Sequence, residues 1–155
     1  FLSSGHNLLR PQPIIAVRAE ASGDITPAKN QPHTEGVAWW HSMGGPYVTS
    51  PIAIDRYLYV PLDRGTLTCY EALTGQVMYE RQSLGSRNTI TASPVAADGR
   101  IYIQTEDGEC YVVKQGPQFE ILAVNKLDET FCASPAVSGG RLFLRGRKHL
   151  YCIGK

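Results

Sequence analysis

Short apolar stretches alternate with polar turn residues along most of this chain, and the alternation recurs at a nearly fixed spacing. A Ser-Pro pair marks each recurrence, and its prolines, Pro51, Pro94 and Pro135, lie 43 and then 41 residues apart. Seven residues after each proline an apolar-aromatic-apolar triplet begins, and a further apolar stretch follows it. Repeats of about 40 to 50 residues made of short strands are typical of four-stranded propeller blades. The pattern therefore predicts an all-β propeller of antiparallel blades.

Turn residues separate the predicted strands within each repeat. Asp98-Gly99 and Gly139-Gly140 follow the first strand of their repeats, and such pairs form tight hairpin turns because they tolerate positive φ. The earliest repeat carries Asp55-Arg56 at this place, so we expect a different turn there. Gly65 and Gly108 occupy the next turn of their repeats. No stretch with helical periodicity and caps competes with this arrangement of strands.

The repeat divides the chain into four units of one propeller domain, and about 3.5 blades are present. The units are a partial blade at residues 1–46, blades at residues 47–84 and 85–126, and a last blade at residues 127–155 without its outer strand. The partial blade has predicted strands at residues 1–4, 14–18 and 37–42, and the outer strands of the two full blades are predicted at residues 76–81 and 118–124. Such an open arc leaves strand edges unpaired. We expect the C-terminal part of a seven- or eight-bladed ring, completed by missing N-terminal blades or by a second copy.

The Ser-Pro pairs need a place in the sheet that tolerates proline. Proline cannot donate a hydrogen bond to a neighbouring strand, so it occurs at sheet edges and at strand starts, and the innermost strand of a blade provides both. The serines have two interpretations, because they either form local hydrogen bonds in the channel wall or contact a ligand in the channel. The pairs are Ser50-Pro51, Ser93-Pro94 and Ser134-Pro135.

A Ser-Pro pair, an aromatic-bearing strand, an Asp-Gly turn and a Thr-Gly pair such as Thr74-Gly75 together resemble the PQQ-like propeller repeat. The resemblance spans residues 14–155 and implies the fold of quinoprotein dehydrogenases and of the bacterial outer-membrane assembly lipoprotein. Residues 133–154 are most similar to the closing segment of large PQQ-like repeat proteins from Planctomycetes-type bacteria. That family often has tryptophan near the end of the fourth strand, where this chain has Tyr79 and Ala123-Val124. We therefore expect a tryptophan to pack against the next blade at only some of the blade interfaces.

Composition and charge narrow the range of partners. Hydrophobic residues make up 43% of the chain and charged residues 19%, which is ordinary for a folded domain. The formal net charge of +1 predicts neither a nucleic-acid nor a membrane partner, and no apolar run reaches transmembrane length. The polar segment at residues 20–36 is a long loop, either a solvated insertion or a binding element. The resemblance implies a periplasmic or extracellular location in a bacterium.

The positions of the four cysteines indicate a structural role and not a metal-binding or redox site. Cys69, Cys110 and Cys152 fall in predicted third strands, and Cys132 precedes the last Ser-Pro pair. No C-x-x-C motif is present, so a zinc ribbon or a thioredoxin-like site is not indicated. Strand cysteines among apolar residues usually behave as small buried hydrophobes. A Cys132–Cys152 bridge within the last blade stays open, because spacing does not determine connectivity.

Residue types suited to catalysis are scattered along the chain. The histidines are His6, His33, His41 and His149. None has metal-ligand spacing, and no nucleophile motif is present. The acidic pairs Glu106-Asp107 and Asp128-Glu129 fall at predicted turns, where we expect solvated carboxylates. No catalytic or metal-binding residue is therefore assigned, and an enzymatic function is not favoured.

Two groups of residues are candidates for an interaction. The densest basic cluster is either a patch for an anionic partner or a solvated hairpin tip. Its members are Arg141, Arg145, Arg147 and Lys148. Trp39 and Trp40 either stack on a flat ligand such as a quinone or a sugar, or dock in the core with one ring at the rim.

These observations support hypotheses from different functional classes. The favoured one is a non-catalytic propeller scaffold that binds a protein or an extended ligand and needs no cofactor, because intact repeats occur without a catalytic set. Resemblance to the dehydrogenase branch implies the alternative, a portion of a quinoprotein dehydrogenase with PQQ and Ca²⁺ in the channel and a carboxylate as base. A further alternative is a sensor propeller attached to a signalling domain.

Overall fold

Four antiparallel β-sheets form the chain in the computed structural model, which describes residues 1–3, 12–26, 34–85 and 89–154. Within these ranges there is no helix. The first blade contains β1 (Leu2–Ser3), β2 (Ile14–Val17) and β3 (Val37–His41). The second contains β4 (Ile52–Ile54), β5 (Tyr57–Leu62), β6 (Thr66–Glu71) and β7 (Val77–Ser83). The third contains β8 (Val95–Ala97), β9 (Arg100–Gln104), β10 (Glu109–Lys114) and β11 (Ile121–Lys126), and the fourth contains β12 (Ala136–Ser138), β13 (Arg141–Arg145) and β14 (Leu150–Ile153).

Each sheet pairs its strands in chain order, which is the arrangement of a propeller blade. The prediction of an all-β propeller with antiparallel blades is confirmed. The innermost strands β4, β8 and β12 begin directly after Pro51, Pro94 and Pro135, and neighbouring innermost strands lie side by side. The prolines thus stand at strand starts, where a missing N–H leaves no gap in the sheet.

The turn after each innermost strand has two residues in all three repeats. Asp98 and Gly99 both have positive φ, of 49° and 71°, and Gly139-Gly140 behaves in the same way. Of the pair Asp55-Arg56, only Asp55 has a positive φ, of 53°. The predicted difference in this turn is confirmed, because arginine avoids the left-handed region that glycine adopts freely.

A β-bulge recurs at the same place in the outermost strand of the first three blades. One residue of the outer strand, which is Ala38, Met78 or Leu122, has no opposite residue on the third strand. A bulge redirects the side chain beside it. The residue that follows each bulge occupies what we call the docking position, and these residues are Trp39, Tyr79 and Ala123.

The outermost strands begin later than predicted. The predicted ranges 76–81 and 118–124 correspond to Val77–Ser83 and Ile121–Lys126 in the structure. In the third blade, bends continue over residues 115–118, because Gly116 has a φ of 142° and Pro117 has no N–H to donate. The strand therefore starts only where Lys114 and Glu120 have paired through their backbones.

The apolar core lies between blades. Leu58, Val60 and Tyr70 of the second blade pack against Ile14 and Trp39 of the first. A larger cluster joins the second and third blades and contains Tyr59, Leu67, Cys69, Tyr79, Leu84, Ile90, Ile101, Ile103, Tyr111 and Val113. Burial of these side chains is the main term that holds neighbouring blades together.

All four cysteines are free thiols, so the Cys132–Cys152 bridge left open by the sequence does not form in this structure. Cys69 and Cys110 are buried, as predicted for strand cysteines, and burial raises the pKa of these thiols to about 12 and about 11. They therefore stay protonated at neutral pH and act as small hydrophobes. Cys152 is exposed, contrary to that prediction, because no further sheet among the described residues packs against its face of the fourth blade.

Candidate functional site

The Ser-Pro serines link the innermost strands of successive blades. The Ser50 N–H donates to the Ser93 hydroxyl at 2.9 Å, and the Ser93 N–H donates to the Ser134 hydroxyl at 3.0 Å. Each hydroxyl thus satisfies a backbone donor that no sheet ladder reaches. This serine ladder favours the interpretation as local hydrogen bonding in the channel wall, since both acceptor hydroxyls are engaged by the protein itself.

Removal of a ladder hydroxyl is expected to weaken the contact between blades modestly. Ser93→Ala or Ser134→Ala leaves one backbone N–H to water, and we expect a loss of about 0.5–1.5 kcal/mol in the free energy of unfolding. Urea titration followed by fluorescence measures it. Ser138→Ala is the matched control, because Ser138 is an exposed serine beside a turn of the same sheet. Equal stability of all three variants would show that the ladder contributes nothing.

Gly65 and Gly108 occupy equivalent turns and form the same long-range contact. Gly65 has a φ of 71° and Gly108 a φ of 94°. The carbonyl of each accepts a hydrogen bond from the chain leaving the outermost strand of its blade, from Leu84 N–H at 2.9 Å and from Leu127 N–H at 3.0 Å. These glycines therefore position the connection from one blade to the next.

Trp39 lies between the first and second blades. Only 4% of its surface is exposed, its ring packs against Gly75 and Tyr70, and its indole N–H donates to the Ala72 carbonyl at 2.8 Å. This ring is consequently not open to a flat ligand. Trp40 points to the other face of the strand, is half-buried, and its indole N–H has no hydrogen-bond partner among the described residues.

The basic residues do not form one patch. Arg141 and Arg145 stand at opposite ends of β13. The Arg145 guanidinium donates to the carbonyls of Gly146 and His149 at 2.8 and 3.3 Å, so it stabilises its own hairpin. Arg147 and Lys148 line a shallow depression whose other walls include acidic side chains, which reduce its positive potential. Those acids are Asp107, Asp128 and Glu129.

Glu129 is a structural carboxylate. It accepts hydrogen bonds from the N–H groups of Lys148 and His149, and from the Tyr151 hydroxyl at 2.7 Å. Its burial opposes ionisation, but these hydrogen bonds outweigh that effect and lower its pKa to about 2. The expectation that Glu129 is a solvated acid is therefore wrong, since only 4% of its side chain is exposed. Its partners lie about 20 residues away in the sequence, so no local pattern indicates them.

The histidines have separate surroundings. His41 stacks on Tyr70 with ring centroids 4.9 Å apart, and its Nε2–H donates a hydrogen bond to the Gly75 carbonyl at 2.8 Å. His149 is exposed and contacts Glu129 through Nδ1 at 3.2 Å. His6 and His33 lie outside the described residues, as do residues 27–33 of the predicted loop at residues 20–36.

A cleft of about 370 Å³ lies between the third and fourth blades. One wall includes Tyr102, Gln104 and Cys110, and the other includes Leu142 and Leu144. The corresponding interfaces of the earlier blades are filled by Trp39 and Tyr79, whereas the docking position of the third blade holds Ala123. Ala123 stands where the sequence led us to expect a larger side chain, but it is not among the residues that line the cleft, so the sequence does not indicate where the cleft forms.

The alternative function, a portion of a quinoprotein dehydrogenase, would require residues that hold PQQ and Ca²⁺. A Ca²⁺ site needs several convergent oxygen ligands. The described ranges contain no group of three or more His, Cys, Asp or Glu side chains that could hold a metal ion. No chemical role is therefore assigned to a PQQ–Ca²⁺ pair. Among the same residues there is also no helix long and apolar enough to span a membrane.

Comparisons with known proteins agree with the geometry. The family described as outer membrane protein assembly factor BamB matches residues 23–116, which is more than half of the chain. BamB from Moraxella catarrhalis has a similar structure, with a TM-score of 0.59 and 13% identity, over 77% of this chain and 36% of that protein. No match was found among curated proteins.

Two further solved structures share the fold. The computationally designed Ika4 protein has a TM-score of 0.59 and 16% identity, over 78% of this chain and 75% of that one. A europium-containing methanol dehydrogenase has a TM-score of 0.55 and 10% identity, over 81% of this chain and 22% of that one. The chain thus spans about a third of the BamB structure and less than a quarter of the dehydrogenase. At such identities the similarity establishes the fold alone.

Proposed function

This chain belongs to the PQQ-like repeat family described as outer membrane protein assembly factor BamB, and on that premise we propose that it is a non-catalytic binding module. Its first partner is other blades of the same type, either the rest of a propeller or a second copy of this chain. A protein partner then binds the completed module. The description of the family supports a place for it in the bacterial envelope.

The observation that carries this proposal is the exposed apolar surface at both open ends of the arc. Phe1 and Leu2 are more than half exposed on and beside β1, and Leu150 is 66% exposed on β14. Among the described strands, β1 and β14 each pair on one side only. Unpaired strand edges with apolar side chains readily add a strand from another segment or chain.

The groove beside β1 has the polar group that an added innermost strand needs. Phe1 and Ser3 line one side of this groove, and Ser50 and Pro51 line the other. In the next two interfaces, the hydroxyl at the position of Ser50 accepts an N–H from the preceding innermost strand. The Ser50 hydroxyl is therefore placed to accept the same bond from a strand supplied by the partner.

Native mass, measured by size exclusion with light scattering, tests the proposal. We expect the 155-residue chain to form a dimer or larger complex at micromolar concentration and Leu150→Lys to shift it towards the monomer, because lysine on an edge strand disfavours pairing. Leu73→Lys is the matched control, since Leu73 is 80% exposed but lies in a turn. A wild-type chain that stays monomeric at every concentration would exclude the second copy and leave the rest of a propeller as the first partner. Self-association that the two lysines weaken equally would contradict a role for the open edge.

A further inference from the structure

One face of the fourth blade repeats an apolar surface that the second blade buries. In the second blade this surface consists of three completely buried residues, which are Tyr59, Leu67 and Cys69. The strand registers give the fourth blade Phe143, Leu150 and Cys152 at the equivalent positions. All three are at least partly exposed, and Leu150 is 66% exposed. The fourth blade therefore has the residues of this surface in a partly uncovered state.

Tyr79 on β7 covers this surface in the second blade. It lies opposite Cys69 on the neighbouring strand, is only 8% exposed and belongs to the same apolar cluster. The equivalent strand of the fourth blade would lie beside β14. Among the described strands, none pairs with β14 on that side. An added strand with a ring at the position of Tyr79 would therefore restore the arrangement of the second blade.

The backbone of β14 offers hydrogen bonds to such a strand. The His149 carbonyl accepts the Gly146 N–H at 2.9 Å, so the backbone of His149 faces β13. Successive residues of an antiparallel strand direct their backbone groups to alternate sides, and the pairing of β14 with β13 has no bulge. The N–H and C=O groups of Leu150 and Cys152 therefore point away from β13. An added strand meets two residues whose backbone groups are directed towards it.

The residue opposite the docking position indicates which side chain that strand carries. Cross-strand neighbours pack against each other, and in this chain a small residue lies opposite an aromatic one, whereas a valine lies opposite an alanine. The pairs are Ala16 with Trp39, Cys69 with Tyr79, and Val112 with Ala123. In the fourth blade the equivalent residue is Cys152, which has the same side chain as Cys69. It leaves room for an aromatic ring.

We propose that the fourth blade takes its outermost strand from a different polypeptide, and that this strand carries an aromatic residue opposite Cys152. The inference rests on the proposed function, in which the open edges accept strands, and it specifies the strand that β14 selects. A second copy of this chain does not offer such a strand. Its strands with an aromatic docking residue, β3 and β7, are already paired within their own blades, and the stretches outside the described ranges contain no Phe, Tyr or Trp.

The test compares two capped peptides on the full chain. One has the sequence of residues 76–83, which includes β7, and the other has alanine in place of Tyr79. Calorimetric titration is done at concentrations where light scattering finds the chain monomeric. The tyrosine peptide should bind about tenfold more tightly, since its ring buries apolar surface on Leu150 and Cys152. Equal affinities, or no binding of either peptide, would overturn this proposal, while self-association through the open edges would still support the proposed function.

Alkylation of the exposed thiols locates the bound peptide. Cys152 should react more slowly in proportion to the bound fraction, because the ring covers its side chain. Cys132 is also exposed, but it precedes β12 on the opposite side of the blade and should keep its rate. Mass spectrometry measures the two rates separately. An unchanged rate at Cys152, or equal slowing of both thiols, would contradict the site.

Two variants test the selection of the ring. Cys152→Val copies the pairing of valine with alanine in the third blade, and should remove most of the preference for the tyrosine peptide. Cys132→Val is the matched control, because it makes the same change at the other exposed cysteine, and it should keep the full preference. A preference that persists in Cys152→Val would show that this residue does not select the ring and would overturn the proposal.

Discussion

Gly108→Ala is expected to lower the free energy of unfolding by about 3 kcal/mol. Alanine would be strained in the left-handed backbone conformation of this position, and its Cβ would also overlap with backbone atoms. Gly108 has a φ of 94°, and an added Cβ would overlap the carbonyl oxygen of Leu127 and lie 2.9 Å from that of Glu129. The connection to the fourth blade cannot easily move away, since Leu127 N–H is hydrogen-bonded to the Gly108 carbonyl. Urea titration with a fluorescence readout measures the change.

The control for this substitution is Gly99→Ala. Gly99 also has a positive φ, of 71°, but nothing lies within 4 Å of an added Cβ. Its substitution should therefore cost only the conformational term, about 1 kcal/mol. If the two alanines proved equally destabilising, the close approach of Leu127 to Gly108 would have no energetic weight.

Trp39→Ala is expected to have a similar or larger effect, about 3–5 kcal/mol. The ring joins the first blade to the second, where it packs on Gly75 and Tyr70 and bonds the Ala72 carbonyl. Alanine leaves a cavity between two sheets and an unpaired carbonyl. Chemical denaturation measures the loss.

Trp40→Ala is the matched comparison for this second substitution. It removes the neighbouring ring, which is half-buried and has an indole N–H without a partner among the described residues. Its loss should therefore destabilise the chain clearly less. A Trp40→Ala variant as unstable as Trp39→Ala would show that adhesion between the blades does not depend on the docking position.

The inner and middle strands are predictable because residues within each repeat specify them. A Ser-Pro pair precedes β4, β8 and β12, and a two-residue turn ends each of them. The outermost strands are less predictable because their start depends on pairing with the third strand. The bulge at Leu122 and the bends around Pro117 result from that pairing and have no counterpart in hydrophobic periodicity.

The candidate sites also differ in whether residues within one repeat specify them or contacts between distant residues do. The serine ladder could be anticipated, since the period alone brings Ser50, Ser93 and Ser134 to equivalent places. The buried network of Glu129 could not, because its partners belong to the next hairpin and an acidic pair at a turn normally faces water. The cleft could not be anticipated either, because the residues that line it belong to two blades and only the fold brings them together.

The recurring bulge gives each blade one adjustable position. Because it directs the next side chain in the same way in three blades, that residue can change from tryptophan to tyrosine to alanine while the pairing of the strands around the bulge stays the same. Substitution of this residue, in evolution or in design, can therefore change the packing between two neighbouring blades at one interface without altering the others. With one type of repeat, a chain can thus pack some neighbouring blades tightly and others less tightly.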